Sequence, residues 1–271
     1  MLEMKAYERD YFVLTTGEKD EYARILEKEK VRRLGDLDIR VNLFRQYPKA
    51  ARHYLSLFPN NYLDIVDLEN EDNVKSVLNQ FLSKLNDGSI SDERDIARFI
   101  KEAGAYYIIG SVLNYYDFGH HEACIFPEFQ LSSTYKVDYL LVGRNSDGYS
   151  FLFVELEHPV KQITLADGEL GNAYRKGIKQ VKDWRSWLNG NFSTFTSTIK
   201  DYKHPDKQIP DEFYSFDPTR CHYVVVAGRR EDLNDTTRRI RREHLEEQKI
   251  RFLHYENIID STLEVIKKKN Y

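Results

Sequence analysis

The chain has 271 residues, 41% hydrophobic and 13% aromatic, which suits one large domain or two modest ones and argues against disorder. Charged residues make up 31%, the formal net charge is -4 and the pI is about 6.1, so a wholly basic nucleic-acid coat protein is excluded while a local basic patch is not. Two cysteines make no disulfide framework, residues 1–6 lack a signal-peptide core, and no uncharged stretch, 103–116 included, is as long as a membrane span. The expectation is a cytoplasmic protein with no membrane partner.

Residues 1–88 read as a helix-rich N-terminal domain. Tyr22, Ile25, Leu26 and Val31 follow a loose helical spacing that Gly35-Asp36 breaks, and Pro48 opens a short helix ending before Pro59. Val74, Val77, Leu78, Phe81, Leu82 and Leu85 recur at three/four spacing, which predicts an amphipathic helix over 72–86, stopped at Asp87-Gly88. A second unit, 89–271, begins where Ser91 can cap a helix carrying Ile96, Phe99, Ile100, Ala103 and Tyr107. The period then changes to strands, at 137–142 and 151–157, joined by the turn 145–148. A helix over 172–189, a strand over 223–227, a charged helix over 236–248, a short strand over 250–255 and a final helix follow. This order predicts an α/β fold, a mixed sheet flanked by helices.

The sharpest feature lies in the two strands joined by that turn. Acidic residues rarely interrupt apolar strands, because burying an unpaired carboxylate is costly. Asp138 stands in Val137-Asp138-Tyr139-Leu140-Leu141, and Glu155 and Glu157 in Val154-Glu155-Leu156-Glu157-His158-Pro159. Residues two apart share a strand face, and hairpin pairing would bring Asp138 beside them. Three converging carboxylates suit a hard divalent cation, Mg²⁺ or Mn²⁺, as a shared metal site. Sixteen residues separate Asp138 from Glu155, the spacing of an acidic residue followed by acid-x-Lys in PD-(D/E)xK nucleases.

Further segments occur in order: Pro127-Glu128-Phe129, Gln180-Val181-Lys182-Asp183-Trp184, Val224-Val225-Val226-Ala227-Gly228-Arg229 and Phe252-Leu253-His254-Tyr255. As a set, with the two acidic strands, they resemble the C-terminal nuclease domain of the Shedu anti-phage defence proteins, over roughly 91–271. The resemblance implies a PD-(D/E)xK, restriction-endonuclease-like fold, Mg²⁺-dependent cleavage of DNA and a homo-oligomer, expected to be a tetramer. It carries Asp138 and Glu155 over as metal ligands, matches Gln180 and Trp184 to a Gln-x-x-x-Tyr helix, and offers Glu93 as a helix carboxylate.

Glu157 departs from that pattern, which has Lys there. Glutamate cannot stabilise phosphorane charge, but it can accept a proton from water or add a metal ligand. Lys176, one helical turn before Gln180, could supply the missing cation, and Lys161 is less favourably placed. Arg238, Arg239, Arg241 and Arg242 are the candidate nucleic-acid-binding residues. Tyr149, where a P-loop needs Lys, makes 143–148 a turn. The alternative is a nuclease-fold protein that has lost catalysis and serves as a DNA-binding or oligomeric regulatory subunit.

Overall fold

A computed structural model describes residues 5–29, 32–34, 37–39, 41–166 and 168–271. The expected break at Gly35-Asp36 lies outside the described residues. The first part holds helix α1 (Thr16–Lys28), the hairpin β1 (Arg32–Leu34) and β2 (Leu37–Ile39), and helices α2 (Lys49–Leu55) and α3 (Glu71–Asn86). Thr15 and Glu18 form a reciprocal cap on α1, satisfying amides that a helix start leaves open.

Next come α4 (Glu93–Glu102) and α5 (Tyr106–Gly110), and then strands β3 (Glu122–Gln130), β4 (Lys136–Asn145) and β5 (Gly148–Leu156). Helix α6 (Asn172–Lys200) leads to β6 (Cys221–Val226), α7 (Asp235–Gln248) to β7 (Ile250–Leu253), and α8 (Tyr255–Lys268) closes the chain. The expected α/β architecture is present: one five-stranded mixed sheet, in order β3-β4-β5-β6-β7, flanked by helices. Pairing is antiparallel from β3 to β5 and parallel from β5 to β7. Leu152, Val154 and Leu156 of β5 pack with residues of α3, α4, α5 and α8, while Phe151 and Phe153 pack with α6. Burial on both faces is why β5 reads as a nearly continuous apolar run.

Several boundaries differ from the sequence expectation. Asp92, not Ser91, caps α4 by accepting from the amides of Arg94 and Asp95, while Ser91 binds the Asp95 carboxylate. Gly104 ends that helix turn, so Tyr107 sits on the separate α5. The long helix runs past Gly190 because it kinks at Asn191 and resumes. β3 carries Pro127, which suits an edge strand, and it is one of the two edge strands of the sheet. Its outer side is covered by residues 62–63, through a Tyr62–Cys124 bridge and a bond of 2.8 Å from the Leu63 amide to the Ala123 carbonyl. Leu63, Leu68, Phe81 and Leu85 share a hydrophobic cluster with Ile109, Leu141, Leu253 and Ile258, on both sides of position 88.

Candidate active site

The β4–β5 register pairs Tyr139 with Val154, so the next rung sets Asp138 against Glu155. Leu140 and Val142 of β4 and Phe151 and Phe153 of β5 all pack on the α6 side, and Asp138 and Glu155 continue those alternations. The Asp138 carboxylate accepts a hydrogen bond of 2.8 Å from the Leu156 amide. Glu157 stays tied into the sheet just past β5. Its amide donates to the Val226 carbonyl at 2.8 Å, and its own carbonyl accepts from the Tyr255 hydroxyl at 2.7 Å. Its side chain lies on the α6 side, since a methyl added at Gly177 would stand 3.2 Å from Glu157 Cγ and 2.6 Å from Val225 Cγ1. The three acids therefore gather on one sheet face, at the end of β5.

Across from Asp138, Glu128 of β3 adopts a left-handed φ of 50°, and pairing lapses there between Pro127–Tyr139 and Phe129–Val137. The irregularity lets Phe126 and Phe129 both pack on the α6 side and ends regular alternation beside the carboxylates. Glu128 itself turns outward to Lys136, at 2.5 Å.

Helix α6 brings the partners. Lys176 Nζ lies 3.1 Å from Glu157 Oε2, and Gln180, one turn further on, favours the charged form of Glu155. Glu155 and Glu157 are 3% and 2% exposed, yet Glu155 Oε2 and Glu157 Oε1 have no hydrogen-bond partner. Gln180 Oε1 is likewise buried and unpartnered. Burial, then the charges of Asp138 and Glu157, push the Glu155 carboxyl strongly upward, against Lys176 and Gln180. Burial also raises Asp138, although the Leu156 amide opposes it. Glu157 is pushed up to about 7, mainly by burial and against the nearby Lys176 ammonium. Lys176 is raised in turn: partial burial opposes the shift, but the charge and hydrogen bond of Glu157, with the charges of Glu93 and Glu155, together prevail.

Two buried carboxyls and the half-buried Asp138, with one ammonium beside them, leave open oxygens, a donor set that fits a hard divalent cation. The described residues include no group of three or more His, Cys, Asp or Glu side chains already gathered to hold a metal ion. Mg²⁺ is commonly bound through one or two carboxylates with water and phosphate completing the shell, so the fit rests on a pair.

Glu157 opens into a cleft of about 530 Å³, shared with Glu93, His158 and the cations Lys161, Arg175, Lys176 and Lys179. The sequence reading missed Arg175 and Lys179. With Lys176 they fall at three/four spacing on the first turns of α6, immediately after Gly171, and that spacing was the available signal. The arginines of α7 do not line this cleft. Arg238, Arg241 and Arg242 border a separate cavity, and Arg239 pairs with Glu243 at 3.5 Å. Trp184 is buried in the core under α6.

The fold and this site define an α/β protein with a cluster of buried carboxylates at one end of a mixed sheet, beneath a cleft rimmed by cations. The family described as Shedu protein SduA, C-terminal, matches residues 90–259, well over half of the chain. The protein belongs to the Shedu family. Among curated proteins no significant match to the chain is found. Among the described residues no helix is long and apolar enough to cross a membrane.

Proposed function

We propose that this protein is a Mg²⁺-dependent DNA endonuclease of the PD-(D/E)xK class, acting in a bacterial anti-phage defence system and active as a homo-oligomer, expected to be a tetramer. The observation that carries the reading is the pairing of buried carboxylates that have unpartnered oxygens with a cleft rimmed by Lys161, Arg175, Lys176 and Lys179. Asp138 and Glu155 would hold the cation. Mg²⁺, or Mn²⁺, supplies polarisation of the scissile phosphate and a water of lowered pKa. Lys176 anchors Glu157 through Oε2, which leaves Oε1 free to take a proton from the attacking water. A carboxyl pushed up to about 7 is matched to that task near neutral pH. Lys176 also brings a positive charge to a site whose Glu157 has none to offer the phosphate. Gln180 favours the charged form of Glu155, and the cleft cations hold backbone phosphates with little base readout.

Cleavage of supercoiled plasmid by the full chain with Mg²⁺ or Mn²⁺, and its suppression by chelator, tests the reading. Light scattering at tens of micromolar tests the assembly, and a monomeric mass would refute it. A second reading, a nuclease-fold DNA-binding or regulatory subunit without catalysis, is favoured by Glu157 in place of Lys and by the lack of a preassembled three-ligand group among the described residues. Protein that is inert on single- and double-stranded DNA with both metals, yet binds DNA, would select it.

A further inference from the structure

Positions 238, 241, 242 and 245 share one face of α7. That face carries Arg238, Arg241, Arg242 and Leu245, and it meets Arg251 and Phe252 of β7 around a cavity of about 260 Å³. Two of the arginines are held in place. Arg241 donates to the Phe252 carbonyl at 2.6 Å and reaches Asn257 Oδ1 at 3.5 Å. The Arg251 guanidinium lies 5.2 Å from the ring centroids of both Tyr115 and Tyr116 and donates to the Tyr115 carbonyl at 3.4 Å. Its Nε is buried with no partner. Arg238 and Arg242 are exposed and free to swing over the cavity.

Every acceptor that Arg241 and Arg251 use is neutral, and among the described residues none of the four guanidiniums has an ion pair. Asp235 and Glu246 lie three and four residues from Arg238 and Arg242 along α7, yet neither pairs with them. Asp260, farther along α8, is taken by Arg230. The contrast is Arg239, off this face, which pairs with Glu243. Four like charges around one concavity repel each other unless an anion from outside joins them. Arginine suits that anion when it is a phosphate, because the planar fork bonds two oxygens at once and cannot lose its proton. The Tyr115 and Tyr116 rings and the Tyr115 carbonyl restrain the Arg251 fork before a ligand arrives.

We infer that the cavity formed by Arg238, Arg241, Arg242 and Arg251 is a phosphate-binding site, separate from the carboxylate cleft, that takes a phosphate group carried by a nucleic-acid strand or by a free phosphate compound. It needs no metal and does not rest on the nuclease reading. The test uses the full chain in EDTA, so cleavage plays no part. A fluorescein-labelled 30-mer DNA duplex is titrated by anisotropy over a range of salt, and pyrophosphate is titrated by calorimetry. The variants are Arg238→Ala/Arg242→Ala, both at exposed positions, and Arg251→Lys, with retained folding checked by circular dichroism.

The double variant should weaken duplex binding by roughly tenfold or more. The plot of log affinity against log salt should become shallower by about 1.8, two phosphate contacts' worth. Arg251→Lys keeps the charge and loses the fork, so it should weaken binding with little change of salt slope. If duplex binding is unchanged but pyrophosphate binds the wild type and not the variants, the site stands and its ligand is a free phosphate compound. If both probes bind all variants as they bind wild type, the inference fails. It fails equally if affinities hold while the oligomer mass drops, since the arginines would then be a subunit contact.

Discussion

Two buried carboxylate sites in this molecule follow opposite rules. Glu122, at the start of β3, uses its oxygens fully: it accepts from the Ser56 hydroxyl, from the Leu57 amide at 2.8 Å and from the Tyr149 hydroxyl at 2.7 Å. Those donors come from the N-terminal part and from β5, so this glutamate joins regions distant in sequence. Glu155 and Glu157, at the far end of β5, are as buried but keep an unpartnered oxygen each. Burial alone therefore does not mark a functional acid. A carboxylate whose lone pairs are filled by the protein stabilises the fold, whereas one left open destabilises it until something from outside arrives.

The most severe test of that contrast removes residues 1–88. The cut takes away Ser56 and Leu57 from Glu122, residues 62–63 from the edge of β3, and Leu68, Phe81 and Leu85 from the shared core. A chain starting at 89 should lack a cooperative thermal transition, and a soluble fragment that melts cooperatively would show that two independent units exist. At the open site, Glu155→Gln should abolish plasmid cleavage while raising the melting temperature in EDTA, because it removes a buried, raised carboxyl. A variant that cleaves as well as wild type would remove Glu155 from the site. Glu157→Gln should lower the cleavage rate by about 10²–10⁴-fold. Glu157→Lys should be inactive as well, since Lys176 already stands 3.1 Å from the Glu157 carboxylate and two cations would crowd one place. Retained activity in Glu157→Lys would mean that Lys176 does not fill the cation's role.

At the closed site the effects move from rate to stability. Glu122→Ala leaves three buried donors without their acceptor and should cost roughly 3–5 kcal/mol, read by urea denaturation. The smallest effect is on pH. Glu157, raised from an ordinary 4.5 to about 7, binds protons more tightly folded than unfolded. Its contribution is complete below about pH 4.5 and is lost as pH rises through about 7, on the order of 3 kcal/mol. Melting temperatures in EDTA should fall over that window, and added Mg²⁺ should restore them at the alkaline end. Lys176→Met should steepen the fall, because it removes the cation that opposes the shift.

Much of the sheet was legible because β4, β5 and β6 are apolar on both faces and bounded by turns. β3 was not, because Pro127 and two acids break its pattern and its edge position depends on residues 62–63 from outside the sheet. The acids were legible through the cost of placing carboxylates in apolar strands, and Lys176 through its turn of helix before Gln180. Glu122 escaped notice because it starts a strand and its partners lie 27 to 66 residues away. The α7 arginines were visible as a cluster, but Arg251, which completes their cavity, is a single charge in a short strand with no local signature.

Gly177 gives the site its tolerance. Inside a helix, glycine is less stable than alanine by about 1 kcal/mol, and α6 carries it where the helix meets Val225 and Glu157. With no side chain at 177, the helix backbone packs directly on the side chains of Val225 and Glu157. The distance to Glu157 from the α6 backbone, from which the Lys176 side chain reaches across, is then set without a spacer. A methyl group there would press on Val225 Cγ1 at 2.6 Å and Glu157 Cγ at 3.2 Å, so either those side chains or the helix would have to give way beside the acids. The glycine works as a gauge of how closely the helix can approach Glu157.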